Sequence, residues 1–194
     1  MIPFDDLDAA ISTVPRIKMA NLDPQALEFM EREIVLASER FVGHAVFPQE
    51  IGGKEVGAYL LLTFDGEDEE EVMARIERTA ELAIENGAME DMIIADSAPK
   101  KKEVWAARSS FLEAIKAENR LLDECDVVVP VSRIPEFLAF ANKLGREHGL
   151  TVCSYGHAGD GNLHIHLCSS DLSEEEFETK ADAYFKELYS HAFA

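Results

Sequence analysis

Three imidazoles, an aspartate and an asparagine crowd into residues 155–167, at His157, Asp160, Asn162, His164 and His166, with Gly156, Gly159 and Gly161 among them. Neutral imidazole ligates zinc and similar divalent ions. A turn made of Gly, Asp and Asn with a histidine on either side places His157 and His164 across the mouth of one turn, as a candidate pair of metal ligands. Two ligands leave a site incomplete, so a third, a carboxylate, has to come from elsewhere. Beyond the turn the sequence alternates. Leu163, Ile165 and Leu167 fall on one face of a strand, and Asn162, His164 and His166 on the other. One face can join a core while the other presents imidazoles and an amide to a pocket. The same residues also fit a plain hairpin with polar side chains on a wet sheet face.

A second chemical candidate is Arg108. It sits three residues after Trp105, the only tryptophan, on the same face of a predicted helix. Its planar fork matches a carboxylate bidentately. The competing reading is a surface ion pair. Lys100, Lys101 and Lys102 stand at the unfavourable end of that helix for its dipole, which could mark a site or be a solvated turn.

The elements that must position these residues follow from pattern and punctuation. Residues 7–14 form a short amphipathic stretch. Asp23-Pro24 is read as a helix start, continued by Leu27, Met30 and Ile34 at helical spacing, with Glu28 and residues 31–33 as its solvated face. Residues 41–55, with Pro48 and Gly52-Gly53, read as a loop. A strand is predicted over 56–64, a helix over 68–86 stopped by Gly87, and a strand over 89–95. Ser97-Ala98-Pro99 opens a helix running to about residue 118. A buried strand is predicted over 126–131, then a helix capped by Ser132 and stopped by Gly149. Strands over 150–155 and 162–168 flank the histidine turn. Ser173 and Glu176 form a capping box for a last helix that runs to the chain's end.

The chain has 194 residues, enough for one domain with a sizeable core. Its formal net charge of −20 argues against nucleic acid and anionic membrane surfaces as partners. No apolar run is long enough to cross a membrane, and the acidic N-terminus lacks the basic region of a signal peptide. Cys125, Cys153 and Cys168 lie in apolar, strand-like runs without CxxC spacing and read as buried thiols in a reducing, cytoplasmic setting. The order of elements points to an α+β fold. It would have a mostly antiparallel sheet with helices on one face, assembled from ferredoxin-like split βαβ units. The uncovered face would carry His164 and His166 and would meet a partner, either another domain or a second copy of the chain.

With these residues in view, the chain resembles the C-terminal (cap) domain of the FAD-linked oxidases, the group that includes the glycolate oxidase FAD subunit, D-lactate dehydrogenases and D-2-hydroxyglutarate dehydrogenase. The likeness runs through residues 26–31 (ALEFME), 60–66 (LLLTFDG), Trp105-Ala-Ala-Arg108, Asp126-Val-Val-Val-Pro130 and the motif over 155–164. It implies that residues 1–194 form a single substrate domain of an FAD-dependent 2-hydroxy acid dehydrogenase oxidising glycolate or D-lactate. By that resemblance His157 and His164 ligate a divalent metal, such as zinc, and act with Arg108 in catalysis. Arg108 and Asn162 hold the small 2-hydroxy acid, and Gly159, Asp160, Gly161 and Asn162 approach the cofactor. FAD itself is expected on a separate flavin domain, the chain's partner.

The sequence departs from the family pattern at several points. The family's third metal ligand, a glutamate in a GEHG motif, does not follow Ser190-His-Ala-Phe-Ala194, and no glycine-rich pyrophosphate loops are found. Thr63 stands where an acid is usual, His166 where Asn is common, and no lysine precedes residues 126–130. The chain alone is therefore expected to be inactive. A non-catalytic metal- or ligand-binding module on the same fold is the alternative.

Overall fold

Two split βαβ units placed edge to edge build the sheet. The computed structural model of the chain describes residues 1–192. In the first unit, β1 (Ile2–Phe4), α1 (Leu7–Met19) and β2 (Ala26–Glu31) form the βαβ. After α2 (Arg32–Val42) and a small hairpin of β3 (Glu50–Ile51) and β4 (Lys54–Glu55), β5 (Ala58–Thr63) inserts between β1 and β2. Then come α3 (Glu69–Glu85), α4 (Ala98–Ser109) and α5 (Phe111–Glu118). The second unit repeats the plan. It consists of β6 (Leu121–Val128), α6 (Ile134–His148) and β7 (Thr151–His157), with β8 (Asn162–Ser169) inserted between β6 and β7, before α7 (Glu174–Ala192) closes the chain. The strand order is β1-β5-β2-β7-β8-β6, and every pairing is antiparallel. The α+β class and the split βαβ units are as the sequence predicts.

Local chemistry sets the ends of several helices. Asp6 accepts a hydrogen bond from the Ala9 amide at the start of α1, and Asp68 does the same for Glu70 at α3. Gly43 and Gly149 end α2 and α6 in the left-handed conformation. Ser173 and Glu176 exchange the reciprocal bonds of a capping box ahead of α7. The last helix is predicted to the chain's end, but residues 193–194 lie outside the described residues.

Both faces of the sheet carry helices, which corrects the prediction of one covered face. Leu27, Phe29, Leu60, Val127, Leu163, Ile165 and Leu167 join the larger core with side chains of α1, α3, α6 and α7. Met30, Tyr59, Leu61, Tyr155 and Cys168 join a second core with Ile34 and Val35 of α2 and with Val104, Ala107, Phe111 and Ile115 of α4 and α5. The face predicted to be bare is therefore roofed over much of its width.

Other local readings change as well. Residues 26–31 are a strand and not a helix, because β2 lies between β5 and β7 with apolar side chains on both faces; Leu27, Met30 and Ile34 fall at helical spacing by coincidence. Asp23 is no cap and adopts a φ of +44° in the connection between α1 and β2. Residues 89–95 form no strand, although the Met89 and Ile93 amides bond to the carbonyls of Pro3 and Met1 beside β1. The helix predicted from residue 98 to about 118 breaks at Ser110. The strand predicted over 126–131 is the end of an edge strand, and Val128 is 71% exposed. Ser132 lies in a 3-10 turn and does not cap α6.

Candidate functional site

Period-two alternation puts Glu28 and Met30 of β2, Tyr155 and His157 of β7, His164 and His166 of β8, and Glu124 and Asp126 of β6 on the same sheet face. α4 lowers Arg108 onto that face. His157 stands opposite Asn162 and His164 opposite Tyr155, so the two histidines are diagonal neighbours and do not face each other across the turn. Their ring centroids are 5.3 Å apart.

A continuous polar row crosses the face. Arg108 donates from Nε and Nη2 to Glu28 Oε2 at 3.1 and 2.6 Å. Glu28 Oε1 lies 2.7 Å from His157 Nδ1. His157 stands edge-on to His164, whose Nδ1 is 2.6 Å from Asp126 Oδ1. A carboxylate only accepts, so each Nδ1 carries a proton and each Nε2 is turned away from its carboxylate. Neither Nε2 has a hydrogen-bond partner among the described residues. Two imidazoles oriented by carboxylates through Nδ1 match the arrangement that prepares histidine as a metal ligand. Among the described residues, however, no group of three or more His, Cys, Asp or Glu side chains is placed to hold a metal ion.

Arg108 is buried, with its guanidinium carbon 4.6 Å from the ring centre of Tyr155 and 5.2 Å from that of Phe111. A surface ion pair is thereby excluded. Trp105, on the same helix, is partly exposed and lines a separate apolar cleft between α3, α4 and the end of β5. Lys100, Lys101 and Lys102 are solvated.

His166 is 2% exposed and stacks on Tyr155 at an interplanar angle of 17°. Its Nδ1 is 3.2 Å from Glu124 Oε2, but neither ring nitrogen makes a hydrogen bond. Burial, followed by the neighbouring His164, pushes its pKa down to about 4, so the ring is neutral. Asn162 likewise keeps its Oδ1 buried without a partner.

The turn itself is fixed by the backbone. The Gly159 amide donates to Leu27 and the Val129 amide to Gly161, while Asp160 Oδ1 accepts from the Asn162 amide. Gly161 has a φ of +83°, and a Cβ there would overlap the Val129 carbonyl oxygen.

The structure places Arg108, His157, Asn162 and His164 on one face of the sheet. It adds Glu28, Asp126 and Tyr155, which the sequence reading did not assign to the site, and it corrects Glu28 from a solvated position to a buried one. The signal for Glu28 lay in ALEFME read at period two, which puts a carboxylate beside Met30 on the strand face that α2, α4 and α5 roof.

The family described as FAD linked oxidases, C-terminal domain, matches residues 1–194. A D-lactate dehydrogenase of Anaerostipes hadrus is 48% identical over 192 residues, covering 99% of this chain and 40% of that protein. A D-lactate dehydrogenase of Archaeoglobus fulgidus is 32% identical, covering 85% of this chain and 34% of that one. The glycolate oxidase subunit GlcD of Bacillus subtilis is 28% identical, covering 97% and 38% respectively. The chain thus spans 34% to 40% of the length of these relatives. Among solved structures, alkyldihydroxyacetonephosphate synthase superposes with a TM-score of 0.60 at 13% identity, covering 98% of this chain and 38% of that one. That likeness concerns the fold alone.

Proposed function

The chain belongs to the C-terminal domain family of FAD linked oxidases, and from that premise we propose that it is the substrate-side domain of a flavin-dependent 2-hydroxy acid dehydrogenase. D-lactate is the first candidate substrate, from the printed name of the 48% identical relative, and glycolate the second. The observation that carries the reading is the single polar row from Arg108 to His164, assembled on one sheet face from four separate elements.

Arg108 binds the substrate carboxylate through the part of its fork that Glu28 leaves free, and the rings of Tyr155 and Phe111 beside it hold the guanidinium in place. Asn162 supplies the amide that orients the acid. Asp160 and Gly161 already have backbone reasons for their identity and Gly159 carries no side chain, so Asn162 is the turn residue with a group to offer to substrate or cofactor. FAD, bound mainly by a separate flavin domain, supplies the hydride acceptor.

A divalent metal such as zinc fits His157 and His164 as two of its ligands through Nε2, with a third from outside these residues. When bound it supplies Lewis-acid polarisation of the substrate hydroxyl. Charge supports this assignment. Glu28 already offsets Arg108, and Asp126 and Glu124 add negative charge nearby, so an anionic substrate needs a further cation.

The partner that supports this reading best is the flavin domain. Self-association has less behind it, since α2, α4 and α5 occupy much of the face that would mediate it. The three free thiols fit a cytoplasmic setting. The test is anaerobic mixing of the flavin-loaded protein with D-lactate or glycolate. Bleaching of the flavin band that disappears in Arg108→Gln is expected. Zinc binding without any flavin reduction would favour a non-catalytic binding module instead.

A further inference from the structure

Among the described residues, Glu28 is the side chain that bonds both to Arg108 and to His157. Its Oε2 takes two donors of Arg108 and its Oε1 takes His157 Nδ1, so both oxygens are committed to different functional residues. It is 3% exposed, and β2 is hydrogen-bonded on both sides, so the carboxylate has little room to move. The Glu28 position pairs directly with His157 across the β2–β7 seam.

We infer that Glu28 is a positioning residue that couples the anion-binding arginine to the histidine, setting the fork of Arg108 and the ring tautomer of His157 through one carboxylate. Its side chain need not touch substrate to do this. A proton held on Nδ1 presents the Nε2 lone pair, and an arginine held through Nε and Nη2 presents its remaining N–H groups. A shift of the carboxylate that loosens one bond loosens the other. The inference rests on the reading above for what Arg108 and His157 bind, and on geometry alone for the coupling.

The decisive variant is Glu28→Gln, which keeps shape but cannot accept from both partners, because one end of the amide is a donor. Nitrogen-15 imidazole spectra of the full 194-residue chain report the His157 tautomer independently of activity. Wild type is expected to show the Nδ1-protonated ring, and the variant a mixed signature. In the flavin-loaded enzyme the same variant is expected to raise KM for the 2-hydroxy acid and to lower kcat, each by about tenfold or more.

A merely structural glutamate would instead reduce stability and the active fraction, with KM and the ring signature unchanged. An unchanged signature or an unchanged KM overturns the coupling. If the Gln variant does not fold, Glu28→Asp takes its place. It keeps the charge but draws the carboxylate back from both partners, so the ring signature and KM should change together, and an unaltered ring would overturn the inference. If the wild-type enzyme reduces no flavin with any 2-hydroxy acid, the proposed function fails while the ring signature still decides the coupling.

Discussion

His157 Nδ1 and Glu28 Oε1 are 2.7 Å apart although 129 residues separate them in sequence. The contact exists because β2 and β7 are neighbours at the centre of the sheet, each contributed by a different βαβ unit. It joins an imidazole to a carboxylate that already holds a guanidinium, and it makes the residues at the middle of the sheet interdependent.

Removing Arg108 is expected to destabilise the fold as well as the site. Arg108→Ala leaves Glu28 as a buried carboxylate without its cation, a change that typically costs about 3–5 kcal/mol. Arg108→Lys keeps the charge but loses the fork and the guanidinium beside the rings of Tyr155 and Phe111, so its cost should be smaller. Urea unfolding of both variants checks this, and a midpoint for Arg108→Ala equal to wild type would contradict it.

Asp126 holds His164 Nδ1 from an exposed position, so its loss should spare the fold and, on the proposed metal reading, weaken zinc binding. Asp126→Asn is expected to lower zinc affinity by about 10- to 100-fold. Calorimetric titration of zinc into wild type and variant, with matching thermal melts, separates the effect from misfolding.

Glu31 gives the stability a pH dependence of known sign. Burial raises its carboxyl to about 7, against a hydrogen bond from Ser154 that lowers it. Its folded pKa lies above the ordinary value of 4.5, so the native state holds the extra proton between those values. The associated stability is complete below pH 4.5 and is lost as pH rises through about 7. Glu31→Gln stays neutral and should gain up to roughly 3 kcal/mol over wild type above that range, and nothing below it. Urea midpoints measured across the window test both the size and the direction.

The glycines of the turn should differ sharply in tolerance. Gly161→Ala forces a side chain into a left-handed conformation and against the Val129 carbonyl, so it should cost well over about 1 kcal/mol. Gly159→Ala meets only ordinary contact with Leu27 at 3.4 Å and should change stability little. Equal melting temperatures for the two variants would refute this account of the turn.

The β7–β8 hairpin was legible because it carries its own signals, strict alternation on one side and a glycine turn on the other. β2 was not. A strand buried on both faces has no polar alternation to display, and Leu27, Met30 and Ile34 imitate a helical stripe. Misreading the element sent Glu28 to solvent and hid the residue that links the site. The break at Ser110 was equally silent, since neither Gly nor Pro marks it. The chemical types at Arg108, His157, Asn162 and His164 announced themselves. Their mutual arrangement did not, because it depends on a pairing between distant strands.

Phe29 and Gly156 lie opposite one another at that central seam, and a Cβ on Gly156 would overlap the Asn162 carbonyl oxygen and come within 3.1 Å of the Phe29 ring. A slip of two residues between β2 and β7 would keep every side chain on its proper face and leave the oily layers satisfied. It would also carry Glu28 past His157. The missing side chain at Gly156 leaves room for the β8 backbone and the Phe29 ring at once, so any bulkier residue there would disturb the strands that align the polar row.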